Sequence, residues 1–186
     1  MPPIEVPVIP SSGVLRSAGD LVLGPGEIHY DALLMEGGTR LTILGPATVV
    51  FDRFGMRSGA EIIFDAQNGP IELHGTGDFV LESNTDMVTL SDSAVDVTIF
   101  LSGNNMAGGR RDRVELSSNA DFVGAIYAPN ILYRLGSNFV VYGSIICGAL
   151  DLSSNGEIHF DEALLYAGDG DSTDYLPTLW RVLPHQ

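Results

Sequence analysis

Three stretches of the chain, Val114–Asn130 (VELSSNADFVGAIYAPN), Tyr133–Gly148 (YRLGSNFVVYGSIICG) and Leu150–Leu165 (LDLSSNGEIHFDEALL), lie almost end to end and read as one phrase written three times. Laid over one another they align Leu116, Leu135 and Leu152, then Asn119, Asn138 and Asn155, and Gly124 falls on Gly143. The Asn residues are 19 and 17 positions apart. A period near 18, with several short apolar runs in each period, is the pattern of a stacked coil. A single coil cannot bury its own apolar face. Coils stacked about 4.8 Å apart bury a continuous column of Ile, Val, Leu and Phe. Asn at a recurring turn tolerates left-handed backbone and offers an amide that stacks on the next, so Asn119, Asn138 and Asn155 are expected to form a turn ladder.

Working outward, the same texture fills the chain. Runs such as RLTILG, ATVVFD, AEIIFD, DFVLES and VDVTIFLS are strand signals bounded by Gly, Asn, Ser and Asp. Weaker echoes of the repeat occur in MRSGAEIIFD and LHGTGDFVLES. No run of ten residues carries a capped helical period, although a short helix near 161–166 fits the pattern. The reading is an all-β, single-stranded parallel β-helix, right-handed by expectation. It has about 18 residues per rung and about seven or eight rungs. The organisation that follows is a Pro-rich arm (1–20), the β-helix (21–166) and a C-terminal capping tail (167–186).

Composition excludes several functions. The 186 residues carry a formal charge of −15, and all nine basic residues are Arg. Nucleic acid and anionic lipid both demand a positive face, so neither is an expected partner. No apolar run is long enough to span a bilayer. The beginning, MPPIEVPVIPSSG, lacks a basic and an apolar signal region. The chain therefore reads as a fragment without its export signal, or as a cytoplasmic protein. Cys147 sits alone in an apolar run and reads as a buried thiol.

Chemistry-bearing motifs are sparse. His29, His74, His159 and His185 show no zinc-site spacing, and no Gly-x-Ser-x-Gly elbow is present. GEIHYDALL (26–34) and GEIHFDEALL (156–165) share His-x-Asp, but many coils apart they cannot build one site within a protomer. The His-x-Asp pairs read as surface hydrogen bonds. Lys, common as a lyase base, is absent, and so is an adjacent Asp-Asp pair for hydrolysis. Asp169, Asp171 and Asp174 form a weak calcium candidate, because the loop lacks the Gly and the terminal Glu of a calcium hand. Arg110, Arg111 and Arg113 close a Gly-rich insertion that could take an anion or an acidic partner. Trp180, Leu183 and Tyr175 are candidates for capping an open end, either the chain's own or a neighbour's. No catalytic residue and no cofactor are expected.

The stretch from Asp121 to Leu164 also resembles a family. Phe122–Asn130, the Ser137-Asn138 turn, Phe139–Ile146 and Ile158–Leu164 follow its F-x-G-A-I-Y-A-P-N, turn, F-Y-G-S-I-V and I-H-Y-D-E-A-L phrases. YDALLMEGGTRLTILGPATVVFD at the front and LPTLWRVL at the back are similar to its opening and closing segments. The family is the β-solenoid domain, of unknown function, of bacterial pilus-assembly-type and polymer-forming surface proteins; anchored adhesin domains look related. The resemblance covers about residues 26–183. It implies a non-catalytic structural module at a cell surface or in a filament, serving adhesion or assembly with protein partners or with itself. A self-polymerising scaffold and a carbohydrate-binding or carbohydrate-active β-helix are the alternatives, with Tyr127, Tyr133 and Tyr142 as the aromatics a sugar would need. The pilin-like apolar helix of many members is absent, and Ser-Asn often replaces their Asn-Gly turns. The family has no agreed catalytic residues, so the resemblance implies no active site.

Overall fold

The computed structural model describes residues 3–91, 93–104, 114–116, 119–153 and 155–165. Thirteen strands follow one another: β1 (Val14–Ser17), β2 (Leu21–Leu23), β3 (Gly26–Met35), β4 (Arg40–Leu44), β5 (Ala47–Met56), β6 (Glu61–Asp65), β7 (Ile71–Leu81), β8 (Asp86–Thr89), β9 (Val97–Leu101), β10 (Val114–Leu116), β11 (Ala120–Leu135), β12 (Phe139–Leu152) and β13 (Glu157–Phe160). Single 3-10 turns occur at Ala94–Asp96 and Glu162–Leu165, the latter where a short helix was expected. Every paired strand among the described residues is parallel.

The pairings form two ladders. One runs β1-β3-β5-β7-β10-β11-β12-β13, with β9 between β7 and β11; the other runs β2-β4-β6-β8. The second ladder leads on to the first half of β11, where the Thr89 hydroxyl donates to the Val123 carbonyl at 2.7 Å. Each coil thus crosses several faces before it stacks on the last, and the chain makes about six turns of a β-solenoid.

That is fewer turns than an 18-residue period suggests, because the middle coils are longer. Neighbouring positions along the first ladder show it. Val14 pairs with Ala32, 18 residues on, and Ala32 pairs with Arg53, 21 on. Arg53 pairs with Asp78, 25 on, and Phe79 with Val114, 35 on. The step then shortens to 19 at Glu115–Arg134 and 17 at Arg134–Asp151. Register along the column is set by apolar side chains that must stay on the core face. Extra residues are therefore pushed into corners, as at the irregularity in pairing after Phe51.

The core is a set of such columns. Leu33, Phe54, Phe79, Val114 and Tyr133 stack in register, each at most 2% exposed. Met35, Met56, Leu81, Leu116 and Leu135 form a second column. Ring centroids lie 5.3 Å apart for both Phe51–Phe54 and Phe54–Phe79, a spacing that adds aromatic contact to simple burial. Gly75 lies in register with Phe51 above and Leu101 below. A Cβ there would stand 2.6 Å from the Phe51 ring, so this Gly makes room for a large neighbour.

Candidate functional site

The most regular feature is one corner of the coil. Asn84, Asn119, Asn138 and Asn155 all have φ between 56° and 60°. Gly38 and Gly59, with φ of 73° and 77°, occupy the equivalent turns of earlier coils. The Asn119 amide donates to Asn84 Oδ1 at 2.9 Å, and the Asn138 amide donates to Asn119 Oδ1 at 3.0 Å. Asn119 and Asn138 therefore form the expected ladder, and Asn155 shares their backbone conformation. Asn84 escaped the sequence reading because its step to Asn119 is 35 residues, nearly twice the period. The signal that would have found it is the Ser-Asn pair at 83–84, which repeats at 118–119 and 137–138. Gly124 pairs with Gly143, as their alignment suggested. A Cβ on Gly143 would lie 1.9 Å from the Gly124 carbonyl oxygen, so two backbones meet here with no room for a side chain.

The C-terminal end of the stack is chemically different from its flanks. Leu150 and Leu152 are in register with the buried Tyr133 and Leu135, and Ile158 with the buried Val141. Phe160 continues the Gly124–Gly143 position. These side chains occupy core columns, yet they are 38%, 51%, 42% and 53% exposed, because no described coil lies over them. Among the described residues, nothing covers the apolar column at this end. Tyr142 stacks on His159 at its margin with centroids 4.8 Å apart, and the His159 Nε2 lies 2.9 Å from Glu157.

At the opposite end the residues before β1 continue its pairing with β3. The Ser12 N–H donates to the His29 carbonyl at 2.8 Å, and the Asp31 N–H donates to the Gly13 carbonyl at 2.9 Å. The segment expected to be an arm thus runs beside β3 and supplies the first coil. Here the structure brings together three residues that the sequence did not join. A ring nitrogen of His29 and carboxylate oxygens of Asp31 and Asp52 lie within 4.8 Å of one another. The reading from sequence weighed His29 with Asp31 and missed Asp52, which sits 21 residues on, one coil step in β3–β5. His29 and His159 stand six strand steps apart, roughly 29 Å, so the two similar phrases share no site within the chain.

The remaining candidates separate plainly. His74 stacks on Phe100 with centroids 4.9 Å apart and reaches Glu72 at 3.2 Å; it packs on the outer side of the sheet. Tyr133 is fully buried, and Tyr127 lies half-buried, edge-on to Phe100, so of the three tyrosines only Tyr142 is exposed. Burial pushes the Tyr133 hydroxyl well above its ordinary value, and its oxygen has no hydrogen-bond partner. Burial also raises the half-buried Cys147 thiol, the state of an unreactive thiol. Arg16–Glu36, Arg40–Glu61 and Arg57–Glu82 pair adjacent coils at 3.4, 2.6 and 2.9 Å, exposed contacts that contribute little each. The Arg110, Arg111 and Arg113 loop, the Asp169, Asp171 and Asp174 segment, and the caps Tyr175, Trp180 and Leu183 lie outside the described residues. No helix among the described residues is long and apolar enough to cross a membrane.

Comparison with known proteins places this geometry in a family without placing it in a pathway. No curated protein and no solved structure matches the chain. The family model described as "Domain of unknown function (DUF7305)" matches residues 17–166, from β1 to just past the last 3-10 turn, and the chain belongs to that family.

Proposed function

We propose that the chain is a non-catalytic structural module of a bacterial cell-surface or pilus-associated protein, acting in assembly through the open end of its solenoid. The observation that carries this reading is the set of core-column side chains left half-exposed at β12 and β13: Leu150, Leu152, Ile158 and Phe160. An unpaired strand edge beside exposed apolar side chains is a template for another chain. The flanks differ: Arg16, Arg40, Arg57 and Arg134 pair with carboxylates of neighbouring coils, and the acidic excess that remains repels a like surface.

Magnitudes define the kind of assembly. Full burial of a large apolar side chain is worth about 2 kcal/mol, so covering four half-exposed ones yields about 4 kcal/mol. Association costs at least about 4 kcal/mol in lost freedom, so this end alone supports weak, concentration-dependent contact. Tethering in a filament or on a surface would raise the effective concentration and make such a contact useful.

The test is electron microscopy and light scattering of the purified chain over a concentration series. End-to-end particles that become more abundant with concentration, and that vanish in Ile158→Asp, are the expected result. Single short rods at every concentration would reject assembly through this end. Tyr142 stacked on His159, with the exposed Phe160 lining the same hollow, offers a small aromatic platform for the carbohydrate reading, which rests on fewer side chains than the assembly reading and is the weaker.

A further inference from the structure

The end of the solenoid opposite the apolar one carries an arrangement of side chains suited to a metal ion. His29 sits in β3, half-buried. Its Nδ1 lies 2.7 Å from the Ile9 carbonyl oxygen. A carbonyl only accepts, so Nδ1 carries the proton and the lone pair resides on Nε2. That Nε2 is buried and has no hydrogen-bond partner. A buried acceptor without a partner is costly, and an unfilled coordination site is one explanation for it.

Two carboxylates complete the group. Asp31 is two residues along the same strand, and Asp52 belongs to the next coil. One ligand atom from each of the three residues lies within 4.8 Å of the others, close enough for small side-chain rotations to bring them onto one ion. Each ligand is held from behind. The Ile9 carbonyl fixes the His29 ring, the Ser11 hydroxyl donates to Asp31 Oδ1 at 2.5 Å, and the Thr76 hydroxyl donates to Asp52 Oδ1 at 2.6 Å. Such outer contacts set the tautomer and the carboxylate orientation in metal centres. On each Asp the second carboxylate oxygen remains to coordinate.

We propose that His29, Asp31 and Asp52 bind a divalent transition-metal ion of the zinc type. Neutral imidazole with two carboxylates favours such an ion over calcium, which prefers six or more oxygens. The two carboxylates neutralise its charge, and solvent completes the shell. The ion joins two coils directly. Through Ile9 and Ser11 it also pins the N-terminal segment to β3, so its role is to hold the first coil in place.

The experiment uses the purified chain stripped with a chelator and then titrated with Zn²⁺, followed by calorimetry and thermal unfolding. A parallel titration uses Co²⁺, whose visible absorption reports nitrogen and oxygen ligands. One zinc per chain is expected. At a hundredfold excess over the dissociation constant the midpoint of unfolding should rise by about 5–10 °C. Asp52→Asn keeps the shape and the Thr76 contact, so it should fold as the parent does without metal while losing at least tenfold in affinity. His29→Ala should lose the Co²⁺ spectrum, and His159→Ala should keep it. The proposal is overturned by zinc binding that survives Asp52→Asn and His29→Ala unchanged, by absence of any zinc-dependent shift, or by an equal shift with Ca²⁺.

Discussion

Replacement of Asn119 separates the two reasons for Asn at the corner. Its φ of 60° lies in the left-handed region, and its side chain both donates to Asn84 and accepts from Asn138. Asn119→Gly keeps the backbone at ease and removes both side-chain hydrogen bonds. Those bonds are exposed, so each is worth about 0.5 kcal/mol, and the added freedom of Gly in the unfolded chain costs about as much again. The expected loss is about 1–1.5 kcal/mol. Asn119→Ala loses the same two bonds and also forces a Cβ into left-handed backbone, a further cost of about 1–2 kcal/mol. The loss should then be about 2–3 kcal/mol, and for a chain of this size each kcal/mol lowers Tm by about 2–4 °C. The assay is urea unfolding followed by circular dichroism, with the parent chain, both variants and Gly59→Asn measured together. Gly59 already has φ of 77°, and a Cβ there meets only Gly38 N at 3.9 Å. Its replacement by Asn should lengthen the ladder toward Asn84 and leave stability unchanged or higher. If Asn119→Ala is as stable as Asn119→Gly, the corner does not require left-handed backbone and the account of the ladder fails.

Two further outcomes follow from packing and burial. Gly143→Ala places a methyl group 1.9 Å from the Gly124 carbonyl oxygen and 3.2 Å from Ala94 Cβ, at φ of 145°. It should cost at least about 3 kcal/mol or prevent folding, and a loss under about 1 kcal/mol in the same urea assay would contradict the close approach of these coils. Tyr133→Phe removes a buried hydroxyl without a partner, so stability should hold or rise by about 1 kcal/mol at neutral pH. The folded Tyr133 has its pKa raised by burial, so the unfolded chain ionises first. Stability from this group is therefore intact below pH of about 10 and falls above it by about 1.4 kcal/mol per pH unit. Tyr133→Phe should flatten that alkaline slope, leaving a smaller decline that begins earlier as the half-buried Cys147 thiol resists ionisation. An unchanged slope in the variant would mean that Tyr133 ionises as easily folded as unfolded.

The solenoid was legible because its constraint is periodic. A corner that needs φ near 60° selects Asn or Gly every time, and a core column selects an apolar residue at a fixed distance after it. Asn119, Asn138 and Asn155 repeat at short, similar steps, so the last third announced the fold. The middle coils obey the same two rules, but with corners of unequal length. The alignment between Asn84 and Asn119 is invisible to a search at period 18, and the number of turns was overcounted for the same reason. His29, Asp31 and Asp52 were hidden by a related cause. Two of the three lie on one strand and are easy to pair, whereas the third joins only once the 21-residue register of β3 on β5 is known. Metal spacing rules drawn from single turns or helices do not reach across coils. In a solenoid the relevant spacing is the coil step, and here that step varies from 17 to 35 residues.

The two ends of the stack hold their outermost described coils by different chemistry. Every solenoid leaves a coil with one face unpaired. At the first coil the chain turns its own segment, Ile9–Gly13, onto β3, where polar side chains lock it: His29 to the Ile9 carbonyl and Asp31 to Ser11. These contacts fasten the first coil to β3 but leave its outer edge unpaired, where Val14 and Val22 are 64% and 60% exposed. At the last described coil the groups on offer are Leu150, Leu152, Ile158 and Phe160, which make no directional demand and accept any apolar cover of suitable shape. With an unpaired strand edge at the first coil as well as at the last described one, the rod can either pair through its last coils or grow head to tail. Paired tail to tail, it buries both last coils and stops at two. If Ile158→Asp abolishes association while the parent stops at dimers, the last coil is a self-pairing surface; longer particles would mean that the first coil takes part, and then Val14→Asp, at a 64% exposed position of β1, should hold them at dimers.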